Sequence, residues 1–122
     1  MNDHPVVMFE FISERPDELR AFYRAVFDWD YESSGGFAYV TFTGPPPTTL
    51  GGIGLAQVGV PGWEPGARFY LATDDLEATL ASVVEAGGAR YVEPQRVDAY
   101  EFAMFTDPDG NIVGLLKSSS SH

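Results

Sequence analysis

Few side chains in this 122-residue sequence could carry chemistry, and their spacing narrows the choice further. There is no cysteine, which removes thiolate nucleophiles, thiolate metal sites and disulfides. The two histidines, His4 and His122, lie at opposite ends, so a Ser-His-Asp relay has no histidine to place. Asp107-Pro108-Asp109-Gly110-Asn111 lacks the spaced acids and distal glutamate of an EF-hand; it reads as a tight turn, with Asp-Gly supplying positive φ. Neither Gly51-Gly52 nor Gly87-Gly88 belongs to a dinucleotide or Walker pattern. What remains is Glu10, Arg68 and Tyr70, each inside an apolar, alternating stretch. In such a setting Glu10 can act as a general base and Arg68 can stabilise a developing oxyanion. The alternative is structural. Glu10 and Arg68 then pair as half-buried charges do, and Tyr70 is a core aromatic with its hydroxyl on a backbone carbonyl.

The elements that must position these residues come twice. Phe9-Glu10-Phe11-Ile12-Ser13-Glu14 runs into a helical pattern and is answered by Phe69-Tyr70-Leu71-Ala72-Thr73-Asp74, running into another. Ala38 to Thr43 is echoed by Glu101 to Thr106, and Gly52-Ile53-Gly54-Leu55 by Ile112-Val113-Gly114-Leu115. Such a repeat implies two copies of one unit, neither able to bury its apolar face alone, with a ligand placed where the copies face each other. Leu19, Phe22, Tyr23, Val26 and Phe27 form the first helical stripe, after Pro16 in the first turn. Leu76, Leu80, Val83 and Val84 form the second, capped by Thr73 or Asp74 and stopped by Gly87-Gly88. A hairpin joins 29–32 to 37–43, Gly44 to Pro47 is a loop, and strands follow at 50–57, 89–92, 101–106 and 112–117. The predicted organisation is one domain over 1–117, made of units at about 5–57 and 66–117, a Pro/Gly-rich linker at 58–65 and a flexible tail at 118–122.

Phe22-Tyr23-Arg24-Ala25-Val26-Phe27-Asp28-Trp29 and Asp107-Pro108-Asp109-Gly110-Asn111 resemble the signatures of the vicinal oxygen chelate superfamily, which includes glyoxalase I, extradiol dioxygenases and bleomycin-resistance proteins. Asp74-Asp75-Leu76 followed by Gly87-Gly88 also resembles that family's second helix; Asp28 departs from it, standing where glycine is usual. The resemblance implies an α+β fold of tandem βαβββ units whose curved mixed sheets surround a cleft. It also implies that metal-using members draw ligands from the first and last strand of each unit. Here those positions are Met8 and Arg68, then Gly54 and Gly114. A thioether, a guanidinium and two glycines make no site for a divalent ion. His4 is about 13 Å along the strand from Met8. The expectation is no metal and no cofactor.

Alternation places Met8, Glu10 and Ile12 opposite a helix-facing Phe9 and Phe11, and Arg68, Tyr70 and Ala72 opposite Phe69 and Leu71. The predicted pocket therefore holds Glu10, Arg68 and Tyr70 over Met8 and Ile112, with Gly52, Gly54 and Gly114 leaving room above the strands. Tyr39 and Glu101 join it if their strands have the right parity. Trp29 is a packing residue, whereas Trp63, in the linker, is either a lid or a dimer contact. Eighteen acidic against seven basic residues give a net charge of −11, which repels nucleic acid and suits solubility or a cationic ligand. No run approaches a membrane span and no signal peptide is evident, which points to the cytoplasm. The reading is a metal-free small-molecule-binding protein of the bleomycin-resistance type, sequestering an aromatic or cationic compound. Alternatives are an isomerase or lyase using Glu10 as base and, more weakly, a metal-dependent glyoxalase or dioxygenase. Uncovered sheet edges predict a homodimer, with Trp63 and the Pro45 to Pro47 loop at its contact.

Overall fold

In the computed structural model, residues 4–42 and 49–117 are described here; the Pro45 to Pro47 loop, His122 and the tail fall outside them. The chain divides into two compact units, one of residues 8–67 and one of residues 68–117 joined by residues 4–7. Both are βαβββ, so the fold is α+β with tandem units, as the repeat predicts.

The first unit contains β1 (Val6–Ser13), α1 (Pro16–Phe27), β2 (Asp30–Ser34), β3 (Phe37–Thr41) and β4 (Leu50–Leu55). Its strand order is β2-β3-β4-β1, with β1 parallel to β4 and the other pairs antiparallel. Parallel pairing of β1 and β4 needs a long crossover, and α1 lies within it. Pro16 opens α1 without losing a bond, since the first helical N–H groups have no intrahelical acceptor. Asp28 closes the helix in the left-handed region (φ 60°, ψ 31°), donating its N–H to Arg24 O. The departure from glycine at Asp28 thus keeps the backbone shape glycine would supply, in a residue type that tolerates it. The Tyr31 hydroxyl donates to Arg20 O (3.0 Å) and ties β2 to the helix. Burial raises the Tyr31 phenol, with Arg24 partly opposing the shift.

The second unit contains β5 (Gly66–Thr73), α2 (Leu76–Glu85), β6 (Ala89–Val97), β7 (Tyr100–Thr106) and β8 (Ile112–Lys117), ordered β5-β8-β7-β6 with only β5 and β8 parallel. The N-cap of α2 is Asp75, whose Oδ1 accepts from Ala78 N (3.0 Å), rather than Thr73 or Asp74. Thr73 instead bonds Thr79 Oγ1 (2.6 Å) one turn into the helix. Gly87, at φ 107°, ends α2 as its glycine pair predicts. Strand β6 runs five residues past the predicted end at Val92, through Pro94, because it is an edge strand with register shifts on either side of Val92. Asp107 Oδ1 accepts from the N–H groups of Asp109 (3.0 Å) and Asn111 (2.9 Å), closing the predicted turn. Residues 4–7 join this unit through β5: Ala72 N donates to Pro5 O (2.9 Å), and His4 Nδ1 donates to Ala72 O (2.8 Å).

Candidate functional site

In the first unit, alternation along β1 separates two faces. Phe11 stacks on Tyr23 of α1 (5.2 Å) and Phe9 packs on Trp29 (5.5 Å), so both point to the helix side. Met8, Glu10 and Ile12 point the other way, and they are buried, with Glu10 only 5% exposed. Register carries that face across the sheet. Glu10 stands beside Gly52, which stands beside Tyr39, which stands beside Glu32; the next row is Ile12, Gly54, Phe37 and Ser34. Tyr39 is therefore on the Glu10 face, which resolves the parity its sequence leaves open.

The glycines of β4 do not leave the predicted room. A Cβ at Gly52 would lie 2.1 Å from Phe37 Cε2, and one at Gly54 would lie 2.7 Å from Phe37 Cδ1 and 3.2 Å from Trp63 Cζ3. The strand lacks side chains there because the Phe37 ring rests on it, a cross-strand pairing of aromatic with glycine. Phe37 in turn meets Tyr39 (4.9 Å) and Trp63 (6.4 Å, edge-on). Trp63 is fixed by a turn: its N–H donates to Val60 O (3.0 Å) and its carbonyl accepts from Gln57 N (3.0 Å). So Trp63 packs over Gly54 within its own unit. This face offers one buried carboxylate beside a floor of glycine, roofed by three aromatic rings.

The second unit repeats the device with a different donor. Leu71 packs with Leu76, Leu80, Ala103, Leu115 and Phe105 on the α2 side, so Arg68, Tyr70 and Ala72 face away from α2. Tyr70 stands beside Gly114, and Gly114 beside the buried Met104. A Cβ at Gly114 would lie 2.2 Å from Tyr70 Cδ2, so the Tyr70 ring occupies the space above it. Tyr70 also meets Phe102 (6.3 Å), and Ile112 lies on the same face beside Thr106. Glu101 does not join them. It shares the α2 side with Ala103, where its carboxylate takes Arg96 Nη2 (2.8 Å) and lies 3.9 Å from Lys117 Nζ.

The two register sets correct the alignment of the repeat. Gly54 pairs with Ile12 whereas Gly114 pairs with Tyr70, so these glycines are not equivalent positions even though their sequences echo each other. The partner of Gly114 in the other unit is Gly52, beside Glu10, if strand echoes are matched through β1 and β5. Sequence reasoning missed Phe37, Phe102 and Met104 for this reason. The available signal was the glycine itself, since a glycine inside a strand marks a close approach by something else.

The family pattern described as Glyoxalase-like domain matches residues 7–116. This chain belongs to the glyoxalase-like family. It is 32% identical over 113 residues to CFP32 of Mycobacterium tuberculosis, whose name marks it a candidate glyoxylase, and equally to CFP32 of Mycobacterium bovis. That match takes in 88% of this chain and 42% of the relative, so the chain spans less than half the length of these relatives. Among solved structures, a glyoxalase/bleomycin resistance protein/dioxygenase superfamily member from Vibrio splendidus superposes with a TM-score of 0.63 at 16% identity, covering 93% of this chain and 98% of that one. A Streptomyces coelicolor methylmalonyl-CoA epimerase superposes with a TM-score of 0.63 at 17% identity, covering 95% of both chains. These two likenesses concern the fold. The vicinal oxygen chelate resemblance of the sequence is thereby a family membership.

The donor set of a metal-using glyoxalase-like protein does not fit here. The resemblance places Met8 and Arg68 at the early positions and Gly54 and Gly114 at the late ones; by register the counterpart of Gly114 in the first unit is Gly52, and all three glycines lie under aromatic rings. Among the described residues, no group of three or more His, Cys, Asp or Glu could hold an ion. None of the described helices is long and apolar enough to cross a membrane.

Proposed function

We propose that this glyoxalase-like protein is cytoplasmic and binds a small organic molecule, aromatic or cationic, without a divalent ion, sequestering it as bleomycin-resistance proteins do. The observation that carries the reading is the covering of Gly54 and Gly114 by the Phe37 and Tyr70 rings. A ligating side chain at either position would have to displace a ring, and Met8 and Arg68 supply no donor suited to a divalent ion. What the first unit offers instead is apolar and aromatic surface with one acid: Met8, Tyr39, Gly54 and Trp63 around Glu10. That composition suits a flat ligand oriented by a few polar contacts. The second unit offers Arg68 and Tyr70 over Ile112 and Gly114. A thermal-shift screen of aromatic amines and neutral aromatic metabolites, run with and without EDTA, tests the reading. It predicts stabilising compounds whose effect survives EDTA; hits that vanish with EDTA overturn it.

A second reading has its own support in the burial of Glu10. A carboxylate only 5% exposed is a candidate general base for an isomerase or lyase. Glu10→Gln separates the readings. Once a ligand is in hand, turnover abolished with binding retained supports catalysis, whereas absence of turnover in the parent protein supports sequestration.

A further inference from the structure

Two rings lie over strand glycines on the faces turned away from the helices, and they are held very differently. Tyr70, over Gly114, is the fifth of the eight residues of β5 and only 5% exposed. Phe37, over Gly52 and Gly54, is the first residue of β3 and half-buried. Ahead of it stands the tight turn Gly35-Gly36, which joins β3 to the edge strand β2. A Cβ added at either turn glycine would meet nothing within 4 Å, so the turn stands clear of its surroundings. A strand end beside a glycine turn belongs to the low-stability end of a fold, since little packing holds its backbone in place. Phe37 can therefore leave its position far more readily than Tyr70.

The space Phe37 fills is suited to a planar ring. Gly52 and Gly54 present bare peptide backbone as a floor; a Cβ there would lie 2.1 and 2.7 Å from the ring. Tyr39 forms one wall, meeting the Phe37 ring at 62° and 4.9 Å. Trp63 forms another, at 89° and 6.4 Å. Both are edge-to-face contacts, a geometry that rewards an aromatic ring over a saturated one of the same size. Backbone bonds to Val60 and Gln57 pin Trp63, so its wall stays when Phe37 moves. None of these four residues is charged. We propose that this slot is the aromatic subsite of the ligand face, and that the Phe37 ring is its resident occupant, swinging out beside the Gly35-Gly36 turn to admit the planar ring of a ligand. The subsite depends on the small-molecule-binding reading above and narrows its ligand to one carrying an aryl ring. Phe37 then sets affinity, because the binding-competent state is only the fraction of molecules whose slot is vacated.

The probe is p-cresol, which matches a phenylalanine side chain with one hydroxyl added; 4-methylcyclohexanol is its saturated counterpart. In calorimetry with EDTA present, Phe37→Ala should bind p-cresol at least about tenfold more tightly than the parent does, close to 1.4 kcal/mol. The same variant should bind 4-methylcyclohexanol at least about tenfold more weakly than p-cresol. In the parent, nuclear Overhauser contacts from the Phe37 ring to the α-protons of Gly52 and Gly54 should fade as p-cresol is added. That measurement needs no variant and stands even if Phe37→Ala fails to fold. Equal p-cresol affinity in the parent and Phe37→Ala overturns the subsite, as does equal affinity of Phe37→Ala for the two probes. So do Phe37 contacts that persist throughout the titration. Hits that vanish with EDTA in the wider screen would overturn the metal-free reading whatever p-cresol does, so the two failures are distinguishable.

Discussion

The two units share a chain order but fill their helix sides with different materials. Under α2 lie aliphatic side chains, Leu76, Leu80 and Leu115 with Ala103, and they are almost fully buried. Under α1 lies a run of rings, Phe9, Phe11, Tyr23, Trp29 and Phe42, which touch edge to face or stacked and reach the surface. The faces away from the helices differ in a second way: Phe37 reaches its glycines from β3, while Tyr70 reaches Gly114 from β5. Repetition of topology therefore does not repeat packing. Both units bury aliphatic residues on the helix side, Ile53 with Ala38 and Val40 in the first, but the first adds aromatic contacts on both faces and has no buried residue on its helix.

If that contrast is right, truncating each helix should have very different consequences. Leu80 is fully buried, so Leu80→Ala should cost about 2–5 kcal/mol in a urea titration. Val26→Ala, at a position 55% exposed, should stay within about 0.5 kcal/mol. Equal losses would break the contrast.

The glycine faces give the next largest effect. Gly114→Ala forces a Cβ into the Tyr70 ring and should destabilise by about 1–3 kcal/mol, the cost of overpacking. Gly36→Ala, with nothing within 4 Å of the added atom, is the control and should be close to neutral. Gly114→Ala combined with Tyr70→Ala should recover part of the loss if the ring is what the methyl meets.

The smallest effect lies in the β7–β8 turn of the second unit. Bonds from the Asn111 side chain and then the Asn111 backbone, with lesser help from Asp109, hold the Asp107 carboxyl below its usual range. A group whose folded pKa is lowered stabilises above its unfolded pKa, about 3.9, and that contribution disappears as pH falls through the folded value. The melting temperature of the parent should thus fall more steeply below about pH 4 than that of Asp107→Asn. Parallel curves would show that the turn network contributes nothing to folding.

How far the sequence could be read follows from which interactions are local. Helix positions, the Asp107 to Asn111 turn and the alternation of β1 and β5 are set by neighbours along the chain and stand where periodicity puts them, whereas Phe22, Val26 and Phe27 of the first stripe and Val84 of the second are exposed. Met8, Glu10 and Tyr70 are accordingly on the faces expected. The content of the site is set across strands. Whether Tyr39 or Glu101 joins the site depends on register, and register places Tyr39 on the Glu10 face and Glu101 on the α2 side. The glycines looked like empty space because a sequence does not show which ring crosses to fill it. The N-cap of α2 moved by one residue, to Asp75, because three candidate caps stand in a row from Thr73.

Elemental analysis of protein purified without chelator tests the central claim most directly. The account predicts far less than one manganese, iron, nickel or zinc per chain and a melting temperature unmoved by EDTA. About one such ion per chain, removed by EDTA with a marked fall in melting temperature, would contradict it.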